Sequence, residues 1–442
     1  MTPDLLDLDK ERAFYIHHLT TVLLPFWLKR SIDEEHGGFF TCFDNEGRTL
    51  LSRDKYTWSQ GRMVWVWARL ATMEIFSAAE RARYVELARS GASFLMQHCL
   101  LPGDRCAFLM TRAGEPKPQT EGMPLDSSIY ADCFVILGLA RYAAVSGDRA
   151  ALDFAHRLYR SVNERIRTGE FRTEPYPIPT GCKAHGIPMI LLNTSQEMAA
   201  GLEALGRAAD AFEANQIGDL CVHEIITHFL CPDGLVHEMI DSWNECIPDN
   251  VLGRYINPGH TIEDMWFVMH QARRMHMPGV SEASGVSDVV VKAAQVVKRT
   301  FQRGWDQEFG GLLLFADQDG GPPRGNVAGI ENERMAQKVL ADWGSKLWWV
   351  HSEALYTTLL AWRLTGDDEF VGLYRQVFDY TFRTFPNPDP EIGEWIQIRD
   401  RQGRPEQRVV ALPVKDPFHI IRNVALIMDV LGDIQTGDEK AL

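Results

Sequence analysis

Most of this 442-residue chain repeats at the period of an α-helix, with only short connections between one helical segment and the next. Within each segment apolar residues recur every three to four positions, which is the pattern of a helix with a buried face. We predict helices at 8–28, 63–76, 79–95, 128–146, 150–165, 189–205, 212–229, 261–275, 287–303, 346–364, 369–382 and after 417. Glycine-rich connections, such as residues 37–47, predict short loops or β-hairpins. The pattern therefore indicates an all-α fold made of helix pairs.

A faint internal repeat indicates how these pairs are arranged. The phrases that match, in the same order along the chain, are GGF (37–39) with GGL (310–312), KYTW (55–58) with KLWW (346–349), and RAGEP (112–116) with RQGRP (401–405). Repeated helix pairs favour an (α/α)6 barrel, with six inner and six outer helices around one core. A layered bundle is the alternative. No Pro- or Ser-rich linker divides the chain, so we expect residues 1–442 to form a single barrel domain.

The composition limits the possible partners and compartment. The net charge is −15 with both signs mixed along the chain, which argues against nucleic acid or an anionic membrane as the main partner. No apolar run reaches the ~18 residues that a membrane helix needs, and the acidic N-terminus lacks a signal core. Eight cysteines are scattered without a CxxC motif. We expect reduced thiols in a cytoplasmic protein.

One short phrase occurs twice, as NPGH at 257–260 and as DPFH at 416–419. Asn or Asp is a good N-cap and Pro suits the first helical position, so His260 and His419 should each lie in the first turn of a helix. The partial positive charge there opposes protonation of an imidazole that already titrates near neutrality. Two histidines placed alike suggest a paired acid–base site. The alternative is a pair of capping or core histidines.

Helical spacing adds a charged neighbour to each histidine. Glu263 follows His260 by three residues, and Arg422 follows His419 by three, so each pair shares a helix face.

Two further segments, 55–62 and 346–354, are dense in polar and aromatic side chains. Such groups are costly to bury together unless they are paired or functional. An indole face with hydrogen-bond donors around it suits a sugar, although exposed helix starts are the alternative. The candidates for sugar contact are Trp58, Gln60, Arg62, Lys346, Trp349 and Glu353.

Common cofactor and nucleophile motifs are absent from the sequence. It contains no GxxxxGK[ST], no GxGxxG after a strand, no HExxH and no GxSxG. His185, His223 and His228 are not at convincing ligand spacing, so we predict no metal site.

Seven stretches resemble the N-acylglucosamine 2-epimerase family in order and along nearly the whole chain. They are KYTWSQGR (55–62), IPMILLN (187–193), GRYINPGHTIEDMWF (253–267), GWDQEFGGLLLF (304–315), KLWWVHSEA (346–354), GEWIQIRDRQG (393–403) and PVKDPFHIIR (413–422). The resemblance implies an (α/α)6 barrel that epimerises or isomerises sugars at C2. It also implies that His260 and His419 are the two essential bases, with Arg62 and Glu263 in the pocket. Asn193 and Arg422 lie in the matching stretches and are expected substrate contacts.

Differences within the family favour the N-acetylhexosamine branch. Residues 189–197 lack the histidine of the cellobiose 2-epimerases, and Val414 stands where those enzymes tend to have Trp. The HSEA at 351–354 also looks more like the N-acylglucosamine enzymes. The resemblance implies no metal or redox cofactor, activation by ATP although no nucleotide motif is present, and a homodimer. Epimerases or aldose–ketose isomerases acting on mannose, fructose or cellobiose are the alternatives.

The chemistry then expected needs two bases on opposite faces of C2. One histidine removes the proton and the other returns one, with His419 as the base for the gluco epimer. Arg62 would stabilise the enediolate oxygen, and Glu263 would orient His260 or help open the ring. An inverting glycoside hydrolase is an alternative, with carboxylates ~6.5–9.5 Å apart among Glu263, Glu353 and Glu394. A non-catalytic sugar-binding or protease-binding module is another.

Overall fold

The computed structural model describes residues 6–247, 249–274, 287–410 and 412–436. The longer helices are α1 (Leu8–His17), α2 (Leu24–Arg30), α3 (Thr57–Leu70), α4 (Ala78–His98), α5 (Ile129–Ser146), α6 (Arg149–Thr168), α7 (Gly186–Ala204) and α8 (Ala208–Glu224) in the first half. The second half adds α9 (Val251–Arg254), α10 (Pro258–Arg274), α11 (Asp288–Gly304), α12 (Arg334–Asp342), α13 (Trp348–Thr365), α14 (Glu369–Thr384) and α15 (Phe418–Thr436). π-Helical turns at His18–Leu23 and Ile225–Phe229 join α1 to α2 and extend α8.

In the described part of the chain, six helices form a closed inner ring. α3, α5, α7, α10, α13 and α15 pack side by side in that order, and α15 packs back against α3. α4, α6, α8, α11 and α14 lie outside, each against the inner helix that precedes it, while α1 packs on α15. Inner α5 is buried almost all round, whereas outer α6 buries one apolar face. The predicted (α/α)6 barrel is confirmed.

The inner position of α5 also explains its composition. Among the described residues it is the one helix long and apolar enough to cross a membrane, and 72% of that span is buried inside the barrel. A core helix gives the same signal as a membrane helix, so its apolar character follows from its place in the ring.

Short antiparallel strand pairs hold one end of the barrel, as the hairpin prediction expected. The strands are β1 (Lys55–Tyr56), β2 (Leu100–Leu101), β3 (Arg105–Cys106), β4 (Leu109–Met110), β5 (Pro116–Lys117), β6 (Cys182–Ala184), β7 (Met239–Asp241), β8 (Tyr255–Ile256), β9 (Ala316–Asp317), β10 (Lys346–Leu347) and β11 (Ile398–Arg399). β1 pairs with β4, β6 with β7, β8 with β9 and β10 with β11. Because β1, β6, β8 and β10 lead into inner helices, the N-termini of α3, α7, α10 and α13 are held at this end.

Two buried ion clusters account for the repeat found in the sequence. Each cluster joins one aspartate to a lysine before an inner helix and to an arginine of a later loop; the members are Asp33, Lys55 and Arg112 in one, and Asp306, Lys346 and Arg401 in the other. The lysine nitrogen lies 3.0 Å from Asp33 in the first and 3.1 Å from Asp306 in the second. Lys346 is fully buried there. The structure therefore places Lys346 in a buried ion cluster and not among the residues around the two histidines.

The prediction of reduced cysteines needs a correction. Cys231 and Cys246 form a disulfide, while the other six cysteines are free. The bond closes the loop that carries Glu238, a residue of the site described next.

Candidate active site

Both histidines of the repeated phrase lie in the first turn of an inner helix, as predicted. Oδ1 of Asn257 accepts a hydrogen bond from the backbone N–H of His260 at 3.2 Å. Oδ1 of Asp416 accepts one from the N–H of Phe418 at 2.8 Å. These side chains satisfy helix-start donors that would otherwise lack partners.

The indole of Trp349 links the two histidines across the ring of helices. Trp349 is the second residue of α13, which lies between α10 and α15 in the barrel. Its ring centroid is 5.4 Å from that of His260 and 5.7 Å from that of His419. The expectation that Trp349 belongs to the site therefore agrees with its position between the two imidazoles.

His419 is held by a buried carboxylate. Its Nδ1 lies 2.6 Å from Oε1 of Glu353, which also accepts hydrogen bonds from Arg422 at 2.7 Å and, through Oε2, from the Trp266 indole at 2.8 Å. Burial alone would raise the pKa of Glu353, but the charge of Arg422 and the hydrogen bond from His419 bring it down to about 2. A carboxylate only accepts hydrogen bonds, so Nδ1 of His419 is the donor to Glu353.

Glu263 belongs to this cluster and not to His260. Its carboxylate accepts a hydrogen bond from Arg422 and lies 3.6 Å from Nδ1 of His419. The expectation that Glu263 orients His260 is therefore wrong, although its place in the pocket agrees with the sequence.

The carboxylate that holds His260 comes from Glu238, which the sequence analysis missed. Oε2 of Glu238 lies 3.0 Å from Nδ1 of His260, and Oε1 lies 3.1 Å from Nδ1 of His185. Burial would raise the pKa of Glu238, but the charge of His260 and the hydrogen bond from His185 bring it to about 2. Nδ1 of His260 is thus the donor to Glu238, and Nε2 is the ring nitrogen on the other side.

The signal that could have revealed Glu238 is weak in the sequence. The residue precedes β7 and follows no helical period. Pairing of β6 with β7 brings it beside His185, whose backbone N–H donates to the Glu238 carbonyl at 3.0 Å. Only that register would have placed it near α10.

The two histidines differ in exposure. The His260 side chain is 37% exposed, whereas that of His419 is 8% exposed. His260 therefore faces the opening of the site, and His419 lies deeper in the barrel.

Arg62 and Trp58 form one wall of the site on α3. Arg62 makes an ion pair with Asp416, and its guanidinium lies 4.1 Å from the Phe134 ring centroid. Trp58 stacks on Phe134 with ring centroids 5.0 Å apart, and its indole N–H is buried without a partner in the described chain. Burial lowers the pKa of Arg62 from its ordinary value, and Asp416 opposes that shift.

Gln60 does not reach this wall. It is fully buried, and its amide exchanges two hydrogen bonds of 2.8 Å with the backbone of Phe39. Gln60 is therefore not brought to the wall of the site, because it lies two residues from both Trp58 and Arg62 and faces another side of α3, towards Phe39.

Asn193 lines a cavity of about 690 Å³ at the other end of the barrel. The lining comes largely from the C-terminal halves of the inner helices and includes Arg69, Asn193, Trp266, His270 and Asp429. Arg422 also lines this cavity, so the cavity reaches the rear of the cluster that holds His419. Asn193 thus lies behind that cluster, away from the described contacts of the two imidazoles.

The acidic groups of the site do not suit a metal or an inverting hydrolase. Donor atoms of Glu263, Glu353 and His419 lie within 4.8 Å of one another, but the guanidinium of Arg422 already occupies the place of a cation between both carboxylates. An inverting pair needs ~6.5–9.5 Å for a water molecule. Glu394 is buried elsewhere and accepts a hydrogen bond from Trp27 at 2.7 Å.

Comparison with known proteins agrees with this geometry. The profile of the family described as N-acylglucosamine 2-epimerase (GlcNAc 2-epimerase) matches residues 38–422. The chain is 31% identical to N-acylglucosamine 2-epimerase of Mus musculus over 435 residues, covering 95% of this chain and 91% of that protein. It is 31% identical to the Homo sapiens enzyme over 93% and 88% of the two chains.

Cellobiose 2-epimerases are more distant in sequence but share the fold. The Dictyoglomus turgidum enzyme is 20% identical over 94% of this chain and 97% of its own. The structure of cellobiose 2-epimerase from Spirochaeta thermophila has a TM-score of 0.73 at 19% identity and covers 98% of this chain and 100% of that one. Together, the profile match and the full-length relatives show that the chain is a sugar 2-epimerase, a carbohydrate isomerase that belongs to the N-acylglucosamine 2-epimerase family.

Proposed function

We propose that the enzyme interconverts N-acyl-D-glucosamine and N-acyl-D-mannosamine by proton transfer at C2 between His260 and His419. The observation that carries this proposal is the matched state of the two rings. Each donates Nδ1–H to a buried carboxylate and each lies against Trp349, and within the described part of the chain neither Nε2 has a hydrogen-bond partner.

The reaction follows from the acidity of C2 in the open-chain sugar. The C1 carbonyl accepts the electrons when one Nε2 removes the C2 proton, and the other histidine returns a proton to the opposite face. The chemistry needs no metal or redox cofactor. Arg62 has further N–H groups beyond its bond to Asp416 and would stabilise the developing enediolate oxygen. We assign His419 to the gluco epimer.

The N-acyl substrate is supported by sequence similarity and by one pocket position. The N-acylglucosamine enzymes of mouse and human are 31% identical to this chain, against 20% for the Dictyoglomus cellobiose enzyme. Val414 and Trp58 both pack against one small apolar cluster, which places position 414 near the wall of the site. A residue smaller than Trp stands at that position. Mannose, fructose or cellobiose as substrate is the second candidate.

The proposal includes the assembly and setting of the enzyme. We propose that residues 1–442 act as one catalytic domain in a cytoplasmic homodimer, with ATP as an activator that is not consumed. Light scattering gives the mass of the assembly, and initial rates with and without ATP test the activation.

Incubation with N-acetylmannosamine in D2O tests the proposed reaction. We expect N-acetylglucosamine to appear with deuterium at C2. The loss of the C2–H signal in the NMR spectrum measures this exchange. Faster turnover of mannose or cellobiose would transfer the proposal to those sugars. Release of reducing sugar from an oligosaccharide without C2 exchange would replace it with a hydrolase, and sugar binding without either reaction would indicate a binding module.

A further inference from the structure

A second imidazole lies behind the carboxylate that holds His260. The side chain of His185 is fully buried, with Nδ1 3.1 Å from Glu238 and Nε2 2.9 Å from Asp264. Both of its nitrogens face carboxylate oxygens, which only accept hydrogen bonds, so both carry protons and the ring is a cation. None of these three residues was expected to have a role from the sequence.

The fold brings the contacts into a closed circuit. His185 is the N-cap residue of α7 after β6, and Glu238 directly precedes the paired strand β7. Asp264 lies on α10 four residues after His260, which places the two on one helix face. Contacts therefore run from His260 through Glu238 and His185 back to α10 at Asp264.

We infer that the buried His185–Asp264 pair is a positioning element of the active site, which sets the protonation of His260 through the shared carboxylate of Glu238. This inference rests on the proposed role of His260. A lone buried carboxylate beside His260 would strongly favour the protonated imidazole. A cation on the other oxygen of Glu238 opposes that second positive charge on His260.

The other histidine has the same arrangement with a different cation. Glu353 lies between His419 and Arg422, as Glu238 lies between His260 and His185. Each base thus has one carboxylate and one buried cation behind it.

The surroundings support a charged His185. Burial alone would lower its pKa, but the hydrogen bonds to Asp264 and Glu238 outweigh burial and raise the pKa to about 10. Burial also raises the pKa of Asp264, and the hydrogen bond and charge of His185 oppose that shift. The other ionisable groups that act on this circuit are Tyr130 of α5, Tyr255 of β8 and Cys221 of α8. Burial raises the pKa of all three, so they stay neutral at pH 7. The rings of Phe229 and Trp349, against His185 and His260 respectively, carry no charge.

The double variant H185Q/D264N tests the inference, because it removes both charges and keeps amide hydrogen bonds in their place. We expect the His260 imidazole to titrate at least about one pH unit higher than in the wild type. NMR of 13Cε1-labelled histidine measures this titration, and the signal that is missing in His260→Asn assigns it. We also expect the kcat/KM profile to move to higher pH, with at least a tenfold loss at pH 6.5. If the double variant does not fold, His185→Gln alone should shift the His260 titration in the same direction.

His351→Gln is the matched control, because His351 is another fully buried histidine, bonded to Leu347 and Leu312 outside the site. Its loss should lower stability without moving the His260 titration. An unchanged His260 titration in folded H185Q/D264N would overturn the inference and leave the pair as core packing. The NMR measurement needs no turnover, so it stays decisive even if the wild type fails to epimerise N-acetylmannosamine.

Discussion

Nδ1 of His419 lies 2.6 Å from the carboxylate of Glu353, a contact that fixes which nitrogen of the ring faces the substrate. Replacing Glu353 with Gln keeps the volume but removes the charge that stabilises the imidazolium and balances Arg422. We expect kcat to fall by about 100-fold or more while KM changes little. Steady-state kinetics measures both, and a variant with normal kcat would show that His419 does not act through this carboxylate.

The two histidines should have separable roles in isotope exchange. His260→Asn and His419→Asn should each abolish epimerisation with unchanged circular dichroism, because neither ring fills the main core. In D2O, His260→Asn should still exchange the C2 proton of N-acetylglucosamine slowly, since His419 remains as its base. His223→Asn, at an exposed position, should behave as wild type. Exchange by His419→Asn in place of His260→Asn would reverse the assignment of the bases.

Trp349 contacts both imidazoles, so its removal should affect the reaction more than the fold. Aromatic contacts of this kind contribute about 1 kcal/mol each. Two such contacts predict a fall in kcat/KM of about 30-fold for Trp349→Ala, with partial recovery in Trp349→Phe. Trp362→Phe, on the same helix but bonded to Asp368, is the control and should retain full activity.

Lys346 should matter for stability and not for substrate binding. Lys346→Met leaves Asp306 with one cation fewer in a buried cluster, and we expect a loss of about 3 kcal/mol in the free energy of unfolding. KM should be unchanged in the folded variant. Urea unfolding and kinetics test this, with exposed Lys29→Met as the neutral control. A raised KM with normal stability would restore Lys346 to the site.

The charge on His185 makes stability depend on pH. Its pKa is about 10 in the folded protein, above the usual ~6.5, so this stabilisation is complete below pH 6.5 and is lost as pH rises towards 10. The urea midpoint should therefore fall as the pH rises from 6.5 to 9.5, and it should fall less in H185Q/D264N. The difference corresponds to up to a few kcal/mol in the free energy of unfolding. His351→Gln should keep the wild-type slope, because burial lowers the pKa of His351 to about 3. Equal slopes in all three proteins would contradict a protonated His185.

The helices and the place of the two histidines could be read from the sequence because both depend on neighbours along the chain. Helical period is local, and an N-cap needs only the residues next to it, as Asn257 shows for His260. The repeat of Lys55 and Lys346 was also visible in order, although the partners of the two lysines were not.

The sequence by itself determined the long helices and the first-turn position of His260 and His419, since these follow from local spacing, whereas the short helices α9 and α12 were missed. Tertiary structure decided which carboxylate serves which base. Glu263 shares a helix face with His260, yet it bonds to Arg422, while Glu238 comes from the loop just before β7. Spacing on one helix gives a direction only. Which residue becomes the hydrogen-bond partner depends on how the six inner helices and the β6–β7 pair pack against one another. Burial makes each unpaired charge costly, so the packed structure must pair them.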